Sequence, residues 1–96
     1  MASIDPVKLE KAAGRLRVVA HPARIAIITM LEEETRLCVT DIHKRLNILQ
    51  PEASHHLNLL KSYGILDSKR EGKNMFYFLR QNAVLNIIEC IMNCGD

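Results

Sequence analysis

Gln50, Ser54, His55 and Asn58 can all donate and accept hydrogen bonds without carrying a fixed charge, and they stand close together in QPEASHHLNLLKSYGIL. At about 100° per residue, Ser54, His55, Asn58 and Ser62 share one side of a helix, and Ala53, Leu57 and Leu60 share the other. Gln50 is expected just before the helix start. A solvated helix face more usually carries Lys and Glu. A face of small neutral donors and acceptors suits hydrogen bonding to base edges in a DNA major groove. The alternative is an ordinary polar surface. His55 and His56 are adjacent, so they point about 100° apart and cannot jointly grip an ion from one helix. Glu52 and His56, four apart, read as a surface ion pair rather than a metal site.

The second group with chemistry is thiol. Cys90 and Cys94 are four apart, hence on one side of a helix. Two thiolates at that spacing can share a soft ion such as As(III), or oxidise with another thiol. Free cysteines also serve as small buried hydrophobes. Cys38 reads as a packing residue and is the lesser candidate for effector chemistry. Three cysteines with no CxxC argue against a disulfide framework. His21 reads as a capping or packing residue, since no partner ligand stands four residues on. No GxSxG, HExxH or GxxxxGK[ST] occurs, and no carboxylate pair suggests general acid–base work, so an enzyme is not expected.

The elements that must position these residues follow from punctuation and period. Asp5 and Pro6 start a first helix over 5–20, with Leu9, Ala13, Leu16 and Ala20 at helical spacing and Gly14 as a weak point. His21-Pro22 ends it. A second, strongly apolar helix runs from Pro22 to about Glu33, with Ile25, Ile27, Ile28 and Leu31 supplying the core. Glu32, Glu33 and Glu34 oppose the helix dipole at its end, so fraying is expected. Leu37-Cys38-Val39 is a short extended piece before Thr40 caps the next helix. Residues 40–63 then read as a helix-turn-helix, about Thr40 to Leu46 and Pro51 to Tyr63. Asn47 followed by Ile48, and Gly64 followed by Ile65, are left-handed stops with their hydrophobic partners. Residues 66–79 read as a hairpin of Leu66–Arg70 and Met75–Leu79 across Gly72. Its tip carries Lys69, Arg70 and Lys73, a positive finger able to lie along a phosphate backbone. A last helix over 83–94 presents Val84, Ile87, Ile88 and Ile91.

The chain of 96 residues allows one domain, and 48% apolar with 25% charged residues makes it globular rather than disordered. A domain this small buries only about 60–65% of its unfolded surface, which favours a dimer. The two terminal helices are the natural surface for one. The net charge of +2 is weak by itself, but Thr40 to Arg80 holds seven Lys/Arg against four Asp/Glu, while the remainder holds six against seven. The basic excess thus coincides with the candidate DNA reader. Neither a signal peptide nor a span long enough for a bilayer is visible, which predicts a cytoplasmic protein with reduced thiols and no membrane partner.

Helix, helix, helix-turn-helix, hairpin, helix is a mainly α winged helix. From His21 to Leu79 the sequence resembles the ArsR/SmtB family of bacterial repressors. The likeness is carried in order by HPARIAII, LCVTDI, QPEASHHLNLLKSYGIL and KREGKNMFYFL. It implies a homodimeric repressor that leaves a palindromic double-stranded operator when an effector binds. It also implies that Ser54 and His55 reach bases, that Gln50, Asn58 and Lys61 hold the site, and that Lys69, Arg70 and Lys73 touch phosphates. Cadmium and lead sensors of the family carry Cys-x-Cys where this chain has Cys38-Val39-Thr40. Zinc sensors carry Asp-x-His where it has Gln81-Asn82-Ala83. Neither metal site transfers. Some arsenite sensors of the family carry their cysteines in the last helix, as Cys90 and Cys94 would be here. The alternatives are a regulator of this kind with no metal site, or a winged helix used for protein–protein contact.

Overall fold

A computed structural model describes residues 5–80. Its elements are α1 (Pro6–Val19), α2 (Pro22–Glu34), β1 (Arg36–Cys38), α3 (Val39–Leu46), α4 (Gln50–Ser62), β2 (Leu66–Glu71) and β3 (Asn74–Leu79). The three strands form one antiparallel sheet in the order β1-β3-β2. This is the expected winged helix-turn-helix. The predicted last helix over 83–94, with Cys90 and Cys94, lies outside the described residues. Among the described residues no helix is long and apolar enough to cross a membrane.

One buried cluster unites the elements. Val18 and Val19 of α1 meet Ile27, Ile28 and Leu31 of α2, Leu37 of β1, Ile42 of α3, Ala53, Leu57 and Leu60 of α4, and Ile65 and Leu66 at the start of β2. Each fully buried Leu or Ile contributes on the order of 1.5–3 kcal/mol relative to exposure. α2 supplies the centre, as its apolar run requires. Its N-terminus is capped by His21, whose Nδ1 accepts from the Ala23 amide at 3.1 Å. The helix continues through Glu34, where fraying was expected, and Arg45 of α3 bonds the Glu34 carboxylate at 2.8 Å.

Two expectations are corrected. Thr40 is not a cap: α3 starts one residue earlier, and Cys38 occupies the N-cap position with its thiol donating to Asp41 Oδ2 at 3.1 Å. The 36–38 segment is not merely extended but pairs along β3, with Leu37 opposite Tyr77. In α1 the side turned to the core is Gly14, Val18 and Val19, while Leu9 and Leu16 are exposed. Gly14 has a packing reason: a Cβ there would lie 3.3 Å from the Tyr63 ring. Arg15 Nε donates to the Tyr63 carbonyl at 3.2 Å, so α1 is held against the C-terminal end of α4.

Both helix stops of the helix-turn-helix form as read. Asn47 is left-handed at φ 57°, ψ 45°, and the Ile48 amide bonds the His43 carbonyl. Gly64 has φ 75°, and the Ile65 amide returns to the Leu60 carbonyl. These six-to-one bonds satisfy carbonyls that the helix ends would otherwise orphan.

Candidate nucleic-acid interface

α4 is divided sharply. Ala53, Leu57 and Leu60 have no exposed surface, which fixes the helix rotation. Gln50, His55, Asn58 and Lys61 are exposed and Ser54 is half-buried. Gln50 is the first residue of α4 rather than a residue before it, so it points outward with the first turn. His56 departs from the expectation: it is 4% exposed on the core side, and its Nε2 stands 3.9 Å from Glu52. A position between Ala53 and Leu60 at spacings of three and four faces inward whatever its polarity. Glu52 and His56 are thus neighbours as their spacing suggests, but the His56 end is buried rather than at the surface.

The turn into α4 exposes a residue that the sequence reading passed over. Leu49 is the N-cap, makes no side-chain cap bond, and is 75% exposed. Ser, Thr, Asp or Asn at an N-cap stabilises a helix by about 1 kcal/mol, and Leu forgoes this. A leucine at a cap position was the available signal.

The wing stands beside the end of α4. Lys61 Nζ donates to Ser68 Oγ at 2.6 Å, tying the helix to β2. Lys69, Arg70 and Lys73 are exposed as expected. Strand alternation separates them, however. Arg70 pairs with Met75 and shares a face with Ser68 and buried Leu66, the side on which α4 packs. Lys69 pairs with Phe76 on the opposite face. Gly72, at φ 61°, opens the two-residue turn. Positive φ there suits a glycine-led hairpin turn.

Arg36, also unforeseen, crosses the outer face of the sheet. Its guanidinium lies 4.3 Å from the centre of the Phe76 ring and bonds Glu71 at 2.8 Å. This hydrogen bond holds the Glu71 carboxyl below the usual range. The one acidic side chain at the wing tip is thereby paired, leaving Lys69, Arg70 and Lys73 to set the local field.

Of the thiol candidates, Cys38 lies within the described residues, and Cys90 and Cys94 lie outside them. Cys38 is a half-buried free cysteine. Among the described residues no group of three or more His, Cys, Asp or Glu side chains is placed to hold a metal ion.

Comparison with known proteins agrees with this geometry. The model of the arsR family of bacterial regulatory proteins matches residues 21–68. An HTH-type transcriptional regulator of Methanocaldococcus jannaschii is 38% identical over 84 residues, covering 88% of this chain and 94% of that protein. The cadmium resistance transcriptional regulatory protein CadC of Listeria innocua is 35% identical over 81 residues, covering 84% of this chain and 68% of that one. The crystal structure of the transcriptional repressor PagR of Bacillus anthracis superposes with a TM-score of 0.80 at 30% identity, covering 91% of this chain and 99% of that one.

Proposed function

Because the chain belongs to the ArsR family of bacterial regulatory proteins and is thus a DNA-binding transcriptional regulator, we propose that it represses by holding a palindromic operator as a homodimer. α4 of each protomer enters a major groove. Ser54 and His55 read bases, Gln50 and Asn58 hold the site, and Lys69, Arg70 and Lys73 contact phosphates. Lys61 acts at the junction of helix and wing. One observation carries this reading: a helix whose inner side is wholly sequestered presents neutral donors and acceptors outward, next to a basic hairpin. Base edges require such donors and acceptors, and phosphates require the cations.

The dimer surface is the outer side of α1 with the 83–94 segment. Val7, Leu9 and Leu16 are large apolar side chains left exposed on α1, which supports a partner there. Release from DNA is assigned to a thiophilic ion or oxidant at Cys90 and Cys94, whose sequence spacing of four fits a shared ligand. CadC, a relative, is a cadmium resistance regulator.

The test is fluorescence anisotropy with duplexes tiled across the DNA upstream of the protein's own gene. One duplex is expected to bind far more tightly than its shuffled counterpart, and arsenite is expected to release the reduced protein. Equal affinity for shuffled DNA would remove the operator reading. Unaltered release by Cys90→Ser and Cys94→Ser variants would remove the thiol assignment alone.

A further inference from the structure

Arg24 holds three elements at once. From α2, its Nε donates to Nδ1 of His56 on α4 at 3.1 Å. Its Nη1 donates to the Val18 carbonyl near the end of α1 at 3.1 Å. His56 is the only polar side chain in the buried core of the described residues. Its second nitrogen, Nε2, is buried without a hydrogen-bond partner, since Glu52 at 3.9 Å is out of reach. The His21 ring lies against it, 4.8 Å between centroids.

This geometry fixes a protonation state. A guanidinium N–H can only donate, so His56 Nδ1 must accept. His56 is therefore neutral, with its proton on Nε2. Adding a proton would set an N–H on Nδ1 against the Arg24 N–H and place a second positive charge beside the guanidinium. The Arg24–His56 bond cannot survive that change.

We propose that Arg24 and His56 form a clasp that positions the DNA-facing helix against α1 and α2, and that a proton on His56 opens it. Operator binding then demands neutral His56. The inference rests on α4 being the DNA-facing helix. His56 lies on its inner side, one residue from His55 on the outer side, so a shift of the inner contact is a shift of the reading face.

The surrounding charges favour the neutral form. Burial is the largest influence that lowers the His56 pKa from its ordinary value, followed by Arg24 from α2, with His21 at the α2 cap and His55 on α4 adding to it. Glu52 on α4 acts in the opposite sense. From α1 the facing group is the Val18 carbonyl bound to Arg24. His55 lies on the exposed side of the same helix, so it is replaced by Asn in the test, which leaves His56 as the histidine of α4.

The experiment measures anisotropy with the bound upstream duplex from pH 7.5 to 5.5. It also follows the His56 ring by NMR titration of the free and DNA-bound full-length protein. His55→Asn protein is expected to lose affinity as pH falls. His56 is expected to titrate at lower pH in the complex than in the free protein, and each unit of that difference equals about a tenfold loss of affinity at acid pH. In His55→Asn/His56→Asn protein the amide oxygen can accept from Arg24 but cannot titrate, so affinity is expected to stay level. The NMR comparison needs no His56 variant and decides the matter should that variant fail to fold. Coincident His56 titrations in free and bound protein, or parallel pH profiles for the two variants, would overturn the clasp. Absence of specific binding by the wild-type protein at pH 7.5 would instead remove the operator reading beneath it.

Discussion

Leu49 sits where a helix start most favours an oxygen, and it leaves most of its side chain in water. A residue that forgoes a cap and exposes an apolar surface is a local inconsistency of the kind that collects at functional positions. Next to Gln50 at the head of α4, it would meet the C5-methyl of thymine when α4 enters a major groove as proposed. Replacing single thymines of the operator by uracil should weaken wild-type binding at one position in each half-site, and Leu49→Ala protein should not distinguish the two bases there. Equal sensitivity of both proteins would place Leu49 away from the groove floor. His55 differs: as a base reader, its change to Ala should cost about 1–3 kcal/mol with selectivity lost at a single base pair. Uniform losses over all sequences in a gel-shift series would reassign it to the backbone. Gln50, Ser54, His55 and Asn58 were legible because a helical period sorts them from Ala53, Leu57 and Leu60. His56 was not, since its polarity suggested the surface, and Leu49 stands outside the stripe that the period sorts. Rotation of the helix, fixed by the fully buried Leu57 and Leu60, turns His56 inward.

Among the elements, the wing shows what period and punctuation can and cannot reveal. The two strands and the Gly72 turn were readable from aromatic content and a glycine between polar residues. β1 was not recognised as part of the sheet, because three residues carry too little alternation to declare a partner. Its pairing to β3 brings Arg36 over Phe76 and onto Glu71. The register also separates Lys69 from Arg70. Arg70 lies on the sheet face shared with Ser68, whose hydroxyl receives Lys61 from α4. Arg70 therefore lies on the sheet side toward α4, where the proposed reading puts DNA, and Lys69 lies on the opposite face. Arg70→Ala should weaken binding to every duplex and reduce the slope of log affinity against log salt by about one. A slope identical to wild type would take Arg70 out of the phosphate contacts.

At the scale of the whole molecule, α1 presents an unmet need. Its inward side is Gly14, Val18 and Val19, closely fitted to Tyr63 and the core, whereas Leu9 and Leu16 are 55% and 46% exposed. Helical spacing grouped Leu9 with Leu16, and the helix is turned so that both lie outside, available to a second copy. A two-fold axis through this region would set two α4 helices on one face of a duplex, as a palindrome requires. The double change Leu9→Glu and Leu16→Glu should abolish the dimer in sedimentation equilibrium while leaving the helical circular dichroism intact, since neither leucine belongs to the buried cluster. Linking two half-site contacts typically multiplies affinity by roughly 10²–10⁴, so the monomer should bind the palindrome at least about a hundredfold more weakly, and no better than an isolated half-site. A variant that stays dimeric would move the axis away from α1. One that becomes monomeric yet binds the palindrome undiminished would show that each protomer reads DNA alone, and the two-fold model of recognition would have to be given up.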